Sequence, residues 1–302
     1  MVRDEPNMIG WIGTGKMGLP MCHNLLGAGF RLTAFNPTAA KLQPLVEKGA
    51  APAGTCKAVA QAASIVVSMI SDDAALRSVA LGAEGVLANA RDGAIFVDMS
   101  TVSPRVSAEV ADEAARHGID YLRAPVSGGV ALAETAKLTV MASGPAPAHE
   151  RCRAMFDAMS AKQMHVGVAE EARYLKLLIN MMVGVTSAMM GEALAFGRRG
   201  GLDWTTMLDA IGSSAVASPL IGYKLEPLKA RDFTPTFSVR QMMKDFDLLL
   251  ASGNDASAPL PVSGLVRQLL ASAAAHGDGD LDFFAAVRAM ERMAGLPEDG
   301  VV

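Results

Sequence analysis

The chain has 302 residues, 51% of them hydrophobic and 19% charged, which supports a large buried core, argues against disorder and predicts two domains. A net charge of -4 and a pI near 5.8 leave no basic footprint for nucleic acid. Three scattered cysteines (Cys22, Cys56, Cys152) and five isolated histidines predict reduced, cytoplasmic thiols and no metal site.

Residues 1–7 (MVRDEPN) are polar and offer no apolar leader. Short β-rich runs at 8–12, 31–35, 65–69, 95–98, 120–124 and 138–142 predict strands. Between them, 17–28, 38–48, 55–63, 74–79 and 103–118 carry helical patterns. Such alternation predicts a mostly parallel sheet with helices on both faces. After about residue 167 the pattern changes. Residues 170–199 read as one long helix ending at Gly200-Gly201, followed by helical runs near 205–213, 238–252, 263–276 and 283–294. An α/β domain over 1–166 and an all-helical domain over 167–302 are therefore expected. The longest apolar stretch, 177–190, is interrupted by Asn180, Thr186 and Ser187 and reads as too short to span a bilayer.

The first predicted strand runs into Gly13-Thr14-Gly15-Lys16-Met17-Gly18, a G-x-G-x-x-G turn opening a helix. In that context Gly13 makes the tight turn and Gly15 admits a pyrophosphate to the backbone. Gly18 lets helix and strand close up, and the helix N-terminus faces the phosphate. A ligand-free glycine turn is the bland alternative; strand, helix and position together favour a nucleotide. Where an acid would hold the ribose hydroxyls of NAD, the second strand ends at Asn36. Thr38 and Lys41 could reach the 2′-phosphate of NADP, unless Lys41 is simply a solvated residue. The expectation is NADP or NAD, leaning to NADP.

Within the apolar helix after 170, Lys176 and Asn180 stand four apart and share a face. Apolar residues crowd the helix enough to predict burial nearly all round. A lone helix lysine usually snorkels. Beside Asn180, directly after the nucleotide domain, Lys176 instead fits a general acid/base whose burial would lower its pKa. Two loops would complete the site. Asp98-Met-Ser-Thr-Val-Ser-Pro104 places Thr101 at the carboxyl edge of the sheet, with Ser103 and Pro104 also readable as a helix cap. Ser127, Gly128 and Gly129 could present a hydroxyl and successive amides to a carboxylate, or form an ordinary turn.

Taken in order, these segments resemble the β-hydroxyacid dehydrogenase family nearly end to end. The likeness covers GTGKMGLPMCHNLLGAGF, DMSTVSP, APVSGG, AKLTVMASG, KLLIN and FSVRQMMKDFDL. The resemblance implies an α/β Rossmann-type domain followed by an all-α domain built on a long central helix. It also implies NAD(P)-linked hydride transfer to or from a short 3-hydroxy acid, and a homodimer or homotetramer. Carried over by position, Lys176 is the catalytic acid/base, Asn180 helps bind substrate, and Ser127, Gly128 and Gly129 hold its carboxylate. Thr101 lines the nicotinamide end, and Met69 and Ile70 border the adenosine. Lys244 reaches the active site from the helical domain and joins the cofactor set, while Asp245 fixes that lysine and its helix.

Departures from the family pattern are equally specific. Glu170, Glu171 and Ala172 occupy a loop that is glycine-rich in the family, where two carboxylates could repel or select an anionic substrate. Arg123 replaces an aspartate and would either favour a second acidic group on the substrate or point outward. Pro37 replaces the arginine common in NADP-preferring members, leaving cofactor choice open. Ala136 and Ser143 stand where glycine is usual. An imine reductase-like enzyme and a non-catalytic dinucleotide-binding regulator are the alternatives; Lys176 speaks against the first, and Lys176 with Asn180 against the second.

Overall fold

The computed structural model describes residues 8–297. The polar stretch 1–7, on which the leader expectation falls, lies outside the described residues. Two compact units result, one ending at Lys176 and the other beginning at Leu177.

The first unit holds a nine-stranded sheet. Its strands are β1 (Met8–Ile12), β2 (Arg31–Phe35), β3 (Ala51–Pro52), β4 (Ile65–Ser68) and β5 (Ile95–Asp98). They continue with β6 (Asp120–Arg123), β7 (Val126–Ser127), β8 (Leu138–Ser143) and β9 (Ser160–Gly167). The order β3-β2-β1-β4-β5-β6-β8-β7 is parallel through β6. Beyond that, β8 runs antiparallel to β6 and β7 and parallel to β9. Alternate residues feed two cores, as the pleat requires: Ile9, Trp11, Val67, Ile95 and Val97 belong to one, and Val66 and Phe96 to the other. Burial on both faces explains why these strands read as continuous apolar runs. Strand order reverses between β1 and β4, and ligands of such sheets bind outside the carboxyl ends at that switch.

The second unit is helical. After the long helix Glu171–Arg199 come Trp204–Ser213, Pro219–Lys229, Val239–Asp255, Pro261–Ala275 and Ala286–Met293. Leu194, Met242, Phe246, Leu270 and Phe283 pack its core. A Cβ at Gly184 would stand 2.3 Å from the Phe246 ring, which accounts for a glycine inside the long helix.

Three expectations change. The long helix is not buried all round: Tyr174, Leu178, Met182, Met189 and Phe196 form an exposed apolar stripe, Phe196 being 82% exposed. It is also long and apolar enough, by length and composition, to cross a membrane, although Leu177, Met190 and Leu194 serve the core of the second unit. Residues 38–48 form a 3-10 turn, Ala39–Leu42, and a single helical turn, Gln43–Val46, rather than one helix. Pro44, which lacks an N–H, sits in that short helix.

Candidate active site

The 13–18 turn follows β1 and opens the helix Gly18–Gly27. Gly13 has φ +95°, and a Cβ there would lie 2.2 Å from the Met69 carbonyl oxygen. At Gly18 a Cβ would meet the Gly13 carbonyl oxygen at 2.1 Å, an atom that already accepts from the Trp11 indole at 2.9 Å. Gly15 is different: nothing lies within 4 Å of its Cβ position, so this backbone is open to an approaching group. No side chain caps the helix start and no acid sits in its first turn, leaving its N-terminal end suited to an anion. These residues fit a dinucleotide pyrophosphate. Lys16 is exposed beside Gly15, and Met17 packs its side chain against the core.

Asn36 follows β2 directly. Its Oδ1 accepts from the Thr14 amide at 3.2 Å and its Nδ2 donates to the Thr38 carbonyl at 3.0 Å. The amide therefore braces the glycine turn. Pro37, Thr38 and Lys41 are exposed next to it. Met69 and Ile70 follow β4, and the Ile70 amide donates to the Ser100 hydroxyl at 2.9 Å, joining the loop after β4 to the loop after β5. Thr101 lies half-buried in the latter loop. Ser103 accepts from the Val106 amide and Pro104 opens the next helix, so the capping reading of these two holds.

Beneath the loop after β5 lies a buried polar network. Asp98 Oδ1 accepts from Ser68 at 2.6 Å and Ser100 at 2.7 Å, while its Oδ2 accepts from Arg173 Nη2 at 2.6 Å. Arg173 is 1% exposed and Asp98 0%. The same guanidinium donates to the Ser100 carbonyl at 2.8 Å, the Ser107 hydroxyl at 3.1 Å and the Tyr121 hydroxyl at 2.9 Å. Burial pushes the Tyr121 phenol up to about 12, so it stays neutral at any working pH. Arg173 and Tyr121 were not among the residues read from sequence as functional. An arginine inside an apolar helix, and an aspartate closing a buried strand, were the available signals.

Arg123 neither faces outward nor stands ready for a second substrate acid. It is buried, with Nε and Nη2 on Glu170 Oε1 and its guanidinium 4.7 Å above the Tyr121 ring. Glu170 is thereby neutralised. Glu171 Oε2 accepts from the Ala169 amide at 2.6 Å, and backbone amides, first its own and then those of Ala169 and Val168, hold its carboxyl below the usual range. Ser143 donates to the Ala169 carbonyl at 2.6 Å and accepts from the Ala172 amide at 3.2 Å. The acidic residues that looked hostile to an anionic substrate are thus spent on the start of the long helix.

Ser127 lies half-buried on β7, paired with Thr139 of β8. Gly128 has φ +130° with its Cβ position 2.8 Å from Leu138, and Gly129 caps the short helix Val130–Glu134. Lys176 is half-buried, one helical turn beyond Arg173. Within the second unit, the buried Asn180 donates to Asp245 Oδ2, and Lys244 pairs with Asp245 Oδ1 at 3.0 Å. Asp245 therefore holds Lys244, as expected, and also orients Asn180.

Comparison with known proteins agrees with this layout. Residues 8–167 match the family described as the NAD binding domain of 6-phosphogluconate dehydrogenase. Residues 171–290 match the NAD-binding domain of NADP-dependent 3-hydroxyisobutyrate dehydrogenase. The chain is 33% identical to 2-(hydroxymethyl)glutarate dehydrogenase of Eubacterium barkeri, over 97% of each chain. It is also 33% identical to 3-hydroxyisobutyrate dehydrogenase of Pseudomonas aeruginosa, over 91% of this chain and 95% of that one. A structure of the Mycobacterium tuberculosis 3-hydroxyisobutyrate dehydrogenase with L-serine superposes with a TM-score of 0.86 at 29% identity, over 94% of this chain and 99% of that one. The chain belongs to the β-hydroxyacid dehydrogenase family and is an NAD(P)-dependent 3-hydroxyacid dehydrogenase.

Proposed function

We propose that this enzyme oxidises a short 3-hydroxy acid of the 3-hydroxyisobutyrate or glycerate type, or reduces the matching semialdehyde, with Lys176 as general acid/base. One observation carries the reading. The helix bearing Lys176 starts on the carboxyl edge of the sheet, where Arg173 binds Asp98 and the Ser100 carbonyl, and the same edge carries the open Gly15 turn. The nicotinamide supplies the hydride acceptor for oxidation and the donor for reduction. Lys176 Nζ manages the hydroxyl proton: a neutral amine takes it in oxidation, an ammonium returns it in reduction. Ser127 and the Gly128 and Gly129 amides are assigned to the substrate carboxylate, and Asn180 and Lys244 to the substrate and cofactor. With its NH2 group engaged by Asp245, Asn180 offers Oδ1 to a substrate donor such as a hydroxyl.

The lean to NADP rests on Asn36, which braces the turn and brings no carboxylate to the ribose. Asn36→Asp is expected to raise NAD use relative to NADP; an unchanged ratio of kcat/KM for the two cofactors contradicts this. The exposed stripe from Tyr174 to Phe196 supports a homo-oligomer, and a monomer by light scattering would refute it. Substrate class is tested by following reduced-nicotinamide absorbance with both cofactors. The panel comprises 3-hydroxyisobutyrate, glycerate, serine, threonate, 4-hydroxybutyrate and tartronate. Turnover of a 3-hydroxy acid is expected, and turnover of none, with dinucleotide bound, overturns the reading.

A further inference from the structure

Two buried arginines converge on Tyr121 from different sides. Arg173 reaches its hydroxyl, and Arg123 lies over its ring. Each also carries an acid: Arg173 binds Asp98 at the end of β5, and Arg123 binds Glu170 at the start of the long helix. Ser143 at the end of β8 adds two more bonds to the same helix start, through Ala169 and Ala172. Residues 169–173 are thereby fastened to the ends of β5, β6 and β8. Arg173 reaches further. Through Asp98 and Ser100 it ties in the loop after β5, which carries Thr101, and through Ser100 the amide of Ile70 in the loop after β4.

Stability alone is a poor account of this arrangement. Desolvating an arginine and an aspartate this completely costs much of what their attraction returns, and well-packed apolar residues often do as well. What a planar, forked guanidinium adds is direction, since several partners fix it at once. Three of the segments it fixes bear residues already assigned to the cofactor or to chemistry: Ile70, Thr101 and, one helical turn along, Lys176. Ser107 and Tyr121 anchor the same guanidinium to the helix after the Thr101 loop and to β6. Arg123, Glu170 and Ser143, all departures from the family pattern, meet at this joint. They replace a loop that is glycine-rich in the family with one held by side chains.

We propose that Arg173, supported by the Arg123–Glu170 pair, is the positioning residue for Lys176, holding the lysine turn in register with the two loops assigned to the cofactor. The proposal rests on the assignment of Lys176 above. Arg173 touches neither substrate nor cofactor and acts only through the geometry of these segments.

The test uses the full-length enzyme with Arg173→Gln, which removes the charge and the fork, and Arg173→Lys, which keeps the charge alone. Where the glutamine variant does not fold, Arg173→Lys and Ser107→Ala, which removes the Nε partner and the Ser107 contact with the Tyr121 hydroxyl while leaving the Asp98 and Ser100 bonds, carry the test. Arg173→Gln is expected to lower kcat by roughly tenfold to a hundredfold, the scale of a misplacement of about 1 Å. KM for the hydroxy acid and Kd for the dinucleotide should stay within about threefold, since binding groups remain. The pH limb of kcat that depends on Lys176 should move, and Arg173→Lys should recover part of the loss. Amide hydrogen exchange should rise together in 69–71, 98–104 and 171–176, a readout that needs no turnover. A folded glutamine variant with wild-type kcat and an unmoved pH limb overturns the proposal. So does faster exchange confined to 171–176. Should wild type bind dinucleotide yet turn over no hydroxy acid, the functional reading fails, and the exchange pattern alone still decides whether Arg173 couples the three segments.

Discussion

In the first unit, Arg173 and Asp98 are buried together where a strand end meets two loops and a helix start. In the second unit, Arg198 and Arg231 converge on Glu291, and Lys224 binds Asp282 and Thr236 among Tyr223, Phe283 and Phe284. Arg198 with Glu291 and Lys224 with Asp282 are nearly as dry as Arg173 with Asp98, Arg231 being partly exposed, yet these pairs fix different things. Glu291 ties the last helix to the end of the long one and to the turn after Pro219–Lys229. Asp98 ties together segments that carry residues assigned to catalysis. Burial of charge says little about purpose; the segments being joined say more. Substitutions in the two units should therefore separate activity from stability.

The largest effect is expected at Lys176. Lys176→Ala should lower turnover by about 10²- to 10⁴-fold, the usual contribution of a general acid/base, with dinucleotide affinity by fluorescence titration nearly intact. A loss under about tenfold would break the assignment. Glu291→Gln should do the reverse. Leaving Arg198 and Arg231 without their carboxylate should cost about 3–5 kcal/mol in urea unfolding, while affinity for dinucleotide holds. A cost below about 1 kcal/mol would erase the contrast.

Within the first unit the glycines sharpen the same distinction. Gly15→Ala meets no protein atom, so it should weaken dinucleotide binding while leaving the melting temperature in place; Gly18→Ala should lower the melting temperature, because its Cβ strikes the Gly13 carbonyl. The smallest effect concerns Ala136, which adopts φ +54° where the family uses glycine. Ala136→Gly should stabilise the protein by about 1 kcal/mol, since a left-handed conformation penalises a Cβ. Unfolding in urea checks this, and a destabilised variant would contradict it.

Much of the first unit was legible because its strands are short, apolar and buried on both faces. The three glycines between its first strand and first helix were legible too, since that spacing marks a backbone that must be approached closely. The caps at Thr55, Asp72 and Ser103 mark helix starts in the same plain way. Less legible were segments whose partners lie far along the chain. β9 is polar, and its residues are half-buried or exposed with none fully buried, so alternation is weak. The helix Pro219–Lys229 holds Pro227 and Gly222, which read as breaks, yet Ile221 and Leu228 are buried in its core. Ala146–Asp157 mixes charged residues with buried Cys152, Met155 and Phe156. At the site, single positions drew attention to Asn36, Ser127 and Lys176, because each is a polar residue placed at a strand end, beside a glycine turn or within an apolar helix. Pairings did not: Arg123 with Glu170 and Arg173 with Asp98 span 47 and 75 residues, and nothing local announces them.

The pH dependence of kcat for hydroxy-acid oxidation, in wild type and in Lys176→Ala, tests the central assignment most directly. With Lys176 accepting the hydroxyl proton, wild-type kcat should climb as pH rises through the lysine's own titration, and that limb should vanish from the residual activity of the alanine variant. A limb of the same midpoint and steepness in both proteins would show that another group carries the proton.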